Sequence, residues 1–79
     1  MSQSNLYYPI SSRELEILYL IAHERTSSQI AAELQISHHA AIKHRKSLIT
    51  KLGAQNTAGL VRRGFELGLL QTPKQKNTI

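Results

Sequence analysis

Two copies of one four-residue signal stand early in this chain: Ser11-Ser12-Arg13-Glu14 and then Thr26-Ser27-Ser28-Gln29. In each, the leading hydroxyl can accept a bond from the amide three residues on, while the Glu or Gln there reaches back to the leading residue's own amide. That exchange satisfies donors that a helix start leaves without partners, so each copy opens a helix. Ser37 can cap a third helix, and Asn56 or Thr57 a fourth. Four starts within 79 residues leave room only for short helices. The apolar residues behind each start recur at three-and-four spacing. The expected fold is all-α: a compact four-helix domain without strand, repeat or low-complexity segment.

The first helix should run from Ser12 to about His23, with Leu15, Leu18, Ile21 and Ala22 facing inward. The second should end near Leu34, presenting Ile30, Ala31 and Leu34 on one side. The third should end near Leu52, with Gly53 as a left-handed cap. The fourth passes through Leu60, Val61, Gly64, Phe65 and Leu67, after which Gly68 stops it and Leu69 folds back. Residues 1–8 read as a flexible lead-in closed by Pro9, residues 9–70 as the domain, and residues 71–79 as a flexible cationic tail.

Composition narrows the function. With no cysteine, disulfides and cysteine-based metal sites are excluded, which fits a reducing cytoplasm. No apolar run approaches membrane-spanning length, and the polar start MSQSN is no signal peptide. The aromatics are only Tyr7, Tyr8, Tyr19 and Phe65, too few for a base-stacking platform on single strands. His23, His38, His39 and His44 include no i,i+4 pair suited to zinc. There is no nucleophile–base–orienter set and no glycine-rich phosphate loop, so nothing points to an enzyme, a metal or a cofactor.

Charge placement says more than the net +5. Up to Glu33 the chain carries Arg13 and Arg25 against four glutamates; between Leu34 and Phe65 it carries six bases and no acid. An unopposed basic half implies a polyanion partner with a defined docking face. The alternative is a solvated face that serves solubility.

The basic half begins where two short helices meet at the Gln35-Ile36-Ser37 turn. A short helix, a tight turn and a longer basic helix form the arrangement that seats one helix in a DNA major groove. Along the third helix Ala41, Leu48 and Leu52, with Ile49 and partly His44, make an inward stripe. His39, Ile42, Lys43, Lys46 and Thr50 make the outward one. Lys43 and Lys46 are candidates for guanine acceptors, with plain phosphate contact as the competing role. Ile42, an aliphatic among bases, suits a thymine methyl, or else a wider buried arc.

The phosphate candidates are His38, His39, Arg45, Ser47 and Lys51, with Thr26, Ser27 and Ser28 at the second helix start, where free amides favour an anion. For Thr26 the cap alone suffices, and the two histidines also suit plain solvent exposure. Arg13 and Glu14 read as structural, a capping box plus a surface ion pair. Arg62 and Arg63 suit either outlying phosphates or solubility.

These residues resemble the LuxR/GerE-type helix-turn-helix domain of bacterial transcription factors over Ile10 to Leu70. Ile10-Ser11-Ser12-Arg13-Glu14-Leu15-Glu16-Ile17-Leu18 is similar to the family's opening Leu-Thr-x-Arg-Glu-x-Glu-x-Leu. Gln29-Ile30-Ala31 and Leu34-Gln35-Ile36-Ser37 resemble its Glu-Ile-Ala and Leu-x-Ile-Ser. Ala40-Ala41-Ile42-Lys43-His44 and Lys51-Leu52-Gly53 fall on its Thr-Val-Lys-x-His and Lys-Leu-Gly. Ala40, Ala41 and Ile42 depart from Thr-Val-Lys, and Glu24 stands where the family usually has glycine after its first helix.

The resemblance implies four helices unrelated to the winged helix, the third in the major groove and the fourth forming a symmetric dimer. Leu60, Val61, Gly64, Phe65 and Leu67 are then dimer-interface candidates, Gly64 allowing close backbone approach; the same residues suit a core within one subunit. The expected partner is double-stranded promoter DNA in a bacterial cytoplasm, bound by a homodimer, with RNA polymerase a further candidate partner. Two rivals are an interaction module that docks on RNA polymerase or another regulator, and a nonspecific DNA binder. Relatives commonly carry a receiver or ligand-binding domain before this one. Beginning at Met, the chain reads equally as a complete small regulator and as a C-terminal domain.

Overall fold

The computed structural model describes residues 9–72. Four helices follow in order: α1 (Ser12–Ala22), α2 (Ser27–Leu34), α3 (His38–Leu52) and α4 (Thr57–Glu66), and no strand occurs among the described residues. Each start matches its sequence signal. Ser11 and Thr26 form complete capping boxes with Glu14 and Gln29, and Ser37 and Asn56 accept from the amides of Ala40 and Gly59. The lead-in expected at residues 1–8, and the tail expected at residues 71–79 beyond residue 72, lie outside the described residues.

The helix α3 packs against the other three, and α1 does likewise, so these two form the centre. The core gathers Ile17, Leu18 and Ile21 of α1, Ile30 of α2, Leu48 and Leu52 of α3, and Leu60 of α4. The inward stripe of α3 is as expected. On α1 it is shifted: Leu15 is 40% exposed, whereas Glu14 is buried at 5%. Residues 14, 17, 18 and 21 form one buried helical face whose first member is a carboxylate, and Leu20 is buried beside it.

The segment after α4 follows the expected course and adds a cover from Leu70. After α4, Gly68 turns left-handed at φ 78°, and the amides of Leu69 and Leu70 both donate to the Gly64 carbonyl, at 2.8 and 3.1 Å. Leu70 thereby lies over Gly64, where an added Cβ would meet its Cδ1 at 2.7 Å and Leu18 Cδ2 at 3.3 Å. The close approach that Gly64 permits is to this chain's own Leu70. Leu60 is fully buried as well, so both residues are covered within this chain.

Beyond α1 the backbone of Glu24 is left-handed, at φ 65°. A side chain there crowds the following carbonyl, a cost glycine avoids. Glu24→Gly should therefore stabilise the fold by about 1 kcal/mol, raising Tm by several degrees. A thermal melt of the two proteins checks this, and an unchanged or lower Tm would show that the turn carries no strain.

Candidate nucleic-acid interface

The segment from Thr26 to Leu52 builds a helix–turn–helix from local hydrogen bonds. Gln35 caps α2 in the left-handed region at φ 57°, and the Ile36 amide closes back on the Ala31 carbonyl at 3.0 Å. The chain can then re-enter a helix at Ser37, whose Oγ accepts from the Ala40 amide at 3.0 Å. Ile36 is half-buried against the core and anchors the turn. The inward faces of α2 and α3 are thus held, and α3 keeps its other side in solvent.

The ion pairs show where positive charge remains available. Arg13 pairs with Glu16 at 3.4 Å, Arg25 with Glu33 at 3.6 Å, Lys51 with Glu14 at 2.8 Å, and Arg62 and Arg63 both with Glu66 at 3.0 Å. Those two arginines hold the Glu66 carboxyl below its ordinary range by hydrogen bonding. Among the described residues, the cations without a carboxylate partner are Lys43, Arg45 and Lys46, all on α3.

Arg45 nevertheless has fixed partners. One Nη donates to Ser27 Oγ at the start of α2, and the other to Thr57 Oγ1 at the start of α4. Its charge is therefore held between two helix N-termini, α2 and α4, that do not pack on each other. Nothing in the spacing of Ser27 and Thr57 signals this role, because it depends on how three helices converge.

The remaining candidates divide in two. Lys43 and Lys46 are exposed, as are Ser28, His38 and His39; Ile42 is half-buried beside them. The Thr26 oxygen accepts from the Gln29 amide at 3.1 Å, which leaves its proton free to donate outward. Ser47 and Lys51 turn the other way. Ser47 Oγ donates to Glu14 Oε2 at 2.9 Å, and the Lys51 ammonium donates to both Glu14 oxygens at 2.8 and 3.0 Å.

Ser47 and Lys51 supply the hydrogen bonds and the counter-charge that a buried carboxylate needs once it leaves water. The surface ion pair expected here forms between Arg13 and Glu16, while Glu14 completes the capping box. Burial pushes its carboxyl up, but bonds from Lys51, the Ser11 amide and Ser47, with the charge of Lys51, outweigh that and hold it at about 2.

His44 is half-buried, as its partial place in the inward stripe implies, and Arg63 Nε donates to the Leu52 carbonyl at 2.9 Å, tying α4 to the end of α3. Among the described residues no group of three or more His, Asp or Glu is placed to hold a metal ion, and no helix is long and apolar enough to cross a membrane.

Comparison with known proteins agrees with this geometry. Residues 8–63 match the model of the family described as bacterial regulatory proteins, luxR family. The chain is 42% identical over 62 residues to the transcriptional regulatory protein MctR of Rhizobium johnstonii, covering 78% of this chain and 29% of that protein. It is 39% identical over 61 residues to the transcriptional activator protein EsaR of Pantoea stewartii, covering 77% and 24%. The fold superposes on the transcription factor GerE with a TM-score of 0.74 at 27% identity, covering 78% of this chain and 92% of that one. The chain thus spans less than a third of the length of these two curated relatives. With a helix-turn-helix whose second helix carries the cations that lack a carboxylate partner, the chain belongs to the luxR family of bacterial regulatory proteins and holds that family's DNA-binding domain.

Proposed function

We propose that the domain controls transcription by docking on promoter DNA with α3 in the major groove, as a two-fold dimer on paired half-sites. The observation that carries this reading is that, among the described residues, the cations without a carboxylate partner are confined to one helix: Lys43 and Lys46 on its exposed side, and Arg45 between the starts of α2 and α4. Lys43 and Lys46 reach guanine N7 and O6, a pattern the major groove alone displays. Arg45, His38, His39, Thr26 and Ser28 lie where the two phosphate backbones would flank the helix, and the first-turn amides of α2 and α3 add a favourable field.

Affinity then depends on counterion release. Three cations per protomer give a slope of about −3 per protomer in log K against log salt concentration. Titrations of duplex DNA across a salt series read this directly. A slope near zero would move the site to a protein partner, which is the role of the interaction-module rival.

For the dimer, burial of Leu60 and Gly64 leaves Val61, Phe65 and Leu67 of the expected set. Phe65 is 42% exposed, and Val61 sits one turn before it on α4. Phe65→Ala should lower cooperativity on a paired site roughly ten-fold while leaving single half-site affinity unchanged. Gel-shift titration on both probes distinguishes the cases; equal loss on both would place Phe65 in the fold instead.

A further inference from the structure

We infer that Ile42 is a specificity residue that reads the C5-methyl group of a pyrimidine in the major groove, beside the guanine contacted by Lys43 or Lys46. The inference rests on the docking of α3 proposed above and adds the chemistry recognised at one position. Its basis is how Ile42 is buried. Nearly every other half-buried aliphatic side chain, such as Ile36, Ile49 and Val61, packs against the hydrophobic core. Among the described residues Ile42 is the half-buried aliphatic larger than alanine that does not.

It lines a groove together with Ser27, Arg45, Lys46, Ile49, Asn56 and Thr57, so its neighbours there are mostly polar or charged. Folding gains little from an apolar group held in that way, whereas a partner that covers it gains the burial. The neighbours also restrict the partner. Arg45 is fixed by Ser27 and Thr57, so an anionic backbone is held close by, and Lys46 stands one helical turn along the same face.

Side chains one turn apart are about 5.4 Å apart along the helix, and bases on one strand about 3.4 Å apart along the duplex. Ile42 therefore falls within about two base steps of the guanine reached by Lys46. The apolar group that a major groove offers there is a pyrimidine methyl, carried by thymine or by 5-methylcytosine. A lysine at this position, as in the family pattern that Ile42 replaces, would ask for an acceptor instead.

The test uses the duplex half-site that the full chain enriches from random DNA. Each thymine is replaced in turn by deoxyuridine, which removes the methyl and nothing else, and each cytosine by 5-methylcytosine; Kd is read by fluorescence anisotropy at fixed salt. Burial of one methyl corresponds to about a three- to ten-fold effect. A loss of that size at one deoxyuridine position identifies thymine, and a gain of that size at one 5-methylcytosine position identifies the methylated base. In either case Ile42→Ala must erase the difference while its Tm stays within a few degrees of the parent.

The inference is overturned if no position of the enriched site responds to the methyl, or if the response survives in Ile42→Ala. Failure of the docking itself looks different: no half-site is enriched, and Lys43→Ala binds DNA as the parent does.

Discussion

Replacing Lys43 or Lys46 with alanine should weaken binding to an enriched half-site by about 1–3 kcal/mol, roughly five- to a hundred-fold, and relax the preference at one base pair each. The size follows from what each lysine lacks. Neither has a carboxylate to neutralise it, so no internal interaction is given up on binding, and each can place its ammonium on the guanine acceptors. Arg62→Ala is the matched control: its side chain is 79% exposed but already paired with Glu66, so removing it should change affinity little. Binding measured against the enriched site and a scrambled duplex separates two roles. Loss on the enriched site alone marks base contact, and equal loss on both marks phosphate contact. No loss in either variant would contradict the placement of α3 in the groove.

The second large effect concerns stability. Glu14→Ala should cost about 2–4 kcal/mol, because it removes half of the first capping box and leaves the Lys51 ammonium and Ser47 hydroxyl without their shared acceptor. A domain of this size has only about 3–10 kcal/mol in total, so Tm should fall by some 10–20 °C. Acid should reproduce the effect in the parent. The Glu14 carboxyl is held at about 2 against an ordinary 4.5, so unfolding takes up a proton in the interval between. The stabilisation is complete above about pH 5 and disappears as pH falls toward 2, an acid loss of about 2–3 kcal/mol once the partial exposure of Lys51 is allowed for. Urea unfolding of the parent at neutral and acid pH should show the decline, and Glu14→Gln should flatten it. An identical pH dependence in that variant would place the acid sensitivity in another group.

The contrast between these two sites explains what the sequence makes legible. All four helix starts could be read because each depends on bonds spanning three residues, between a cap and an amide in the same turn. The left-handed caps at Gly53 and Gly68 and the inward stripe of α3 are equally local. The Glu14–Lys51 pair spans 37 residues, and no local signal names the partner. A sign did exist: Glu14 lies in helical register with Ile17, Leu18 and Ile21, and a carboxylate on an apolar face requires a counter-charge from elsewhere. Reading hydrophobicity alone puts Leu15 inside and Glu14 out, and it leaves Lys51 free for DNA. The burial of Leu60 and Gly64 was hidden for a related reason. An apolar side of α4 identifies a covered surface but not the cover, and over Gly64 that cover is Leu70 of the same chain. The exposed residues Lys43 and Lys46, placed by spacing alone, stand where they were expected.

Whether α3 reads a sequence is decided most directly by selecting the protein against random duplex DNA near physiological salt and sequencing what is retained. The expected result is an enriched motif with two-fold symmetry that contains guanines, and that disappears with Lys43→Ala combined with Lys46→Ala. Retention without enrichment, or no retention at all, would contradict sequence reading by this helix.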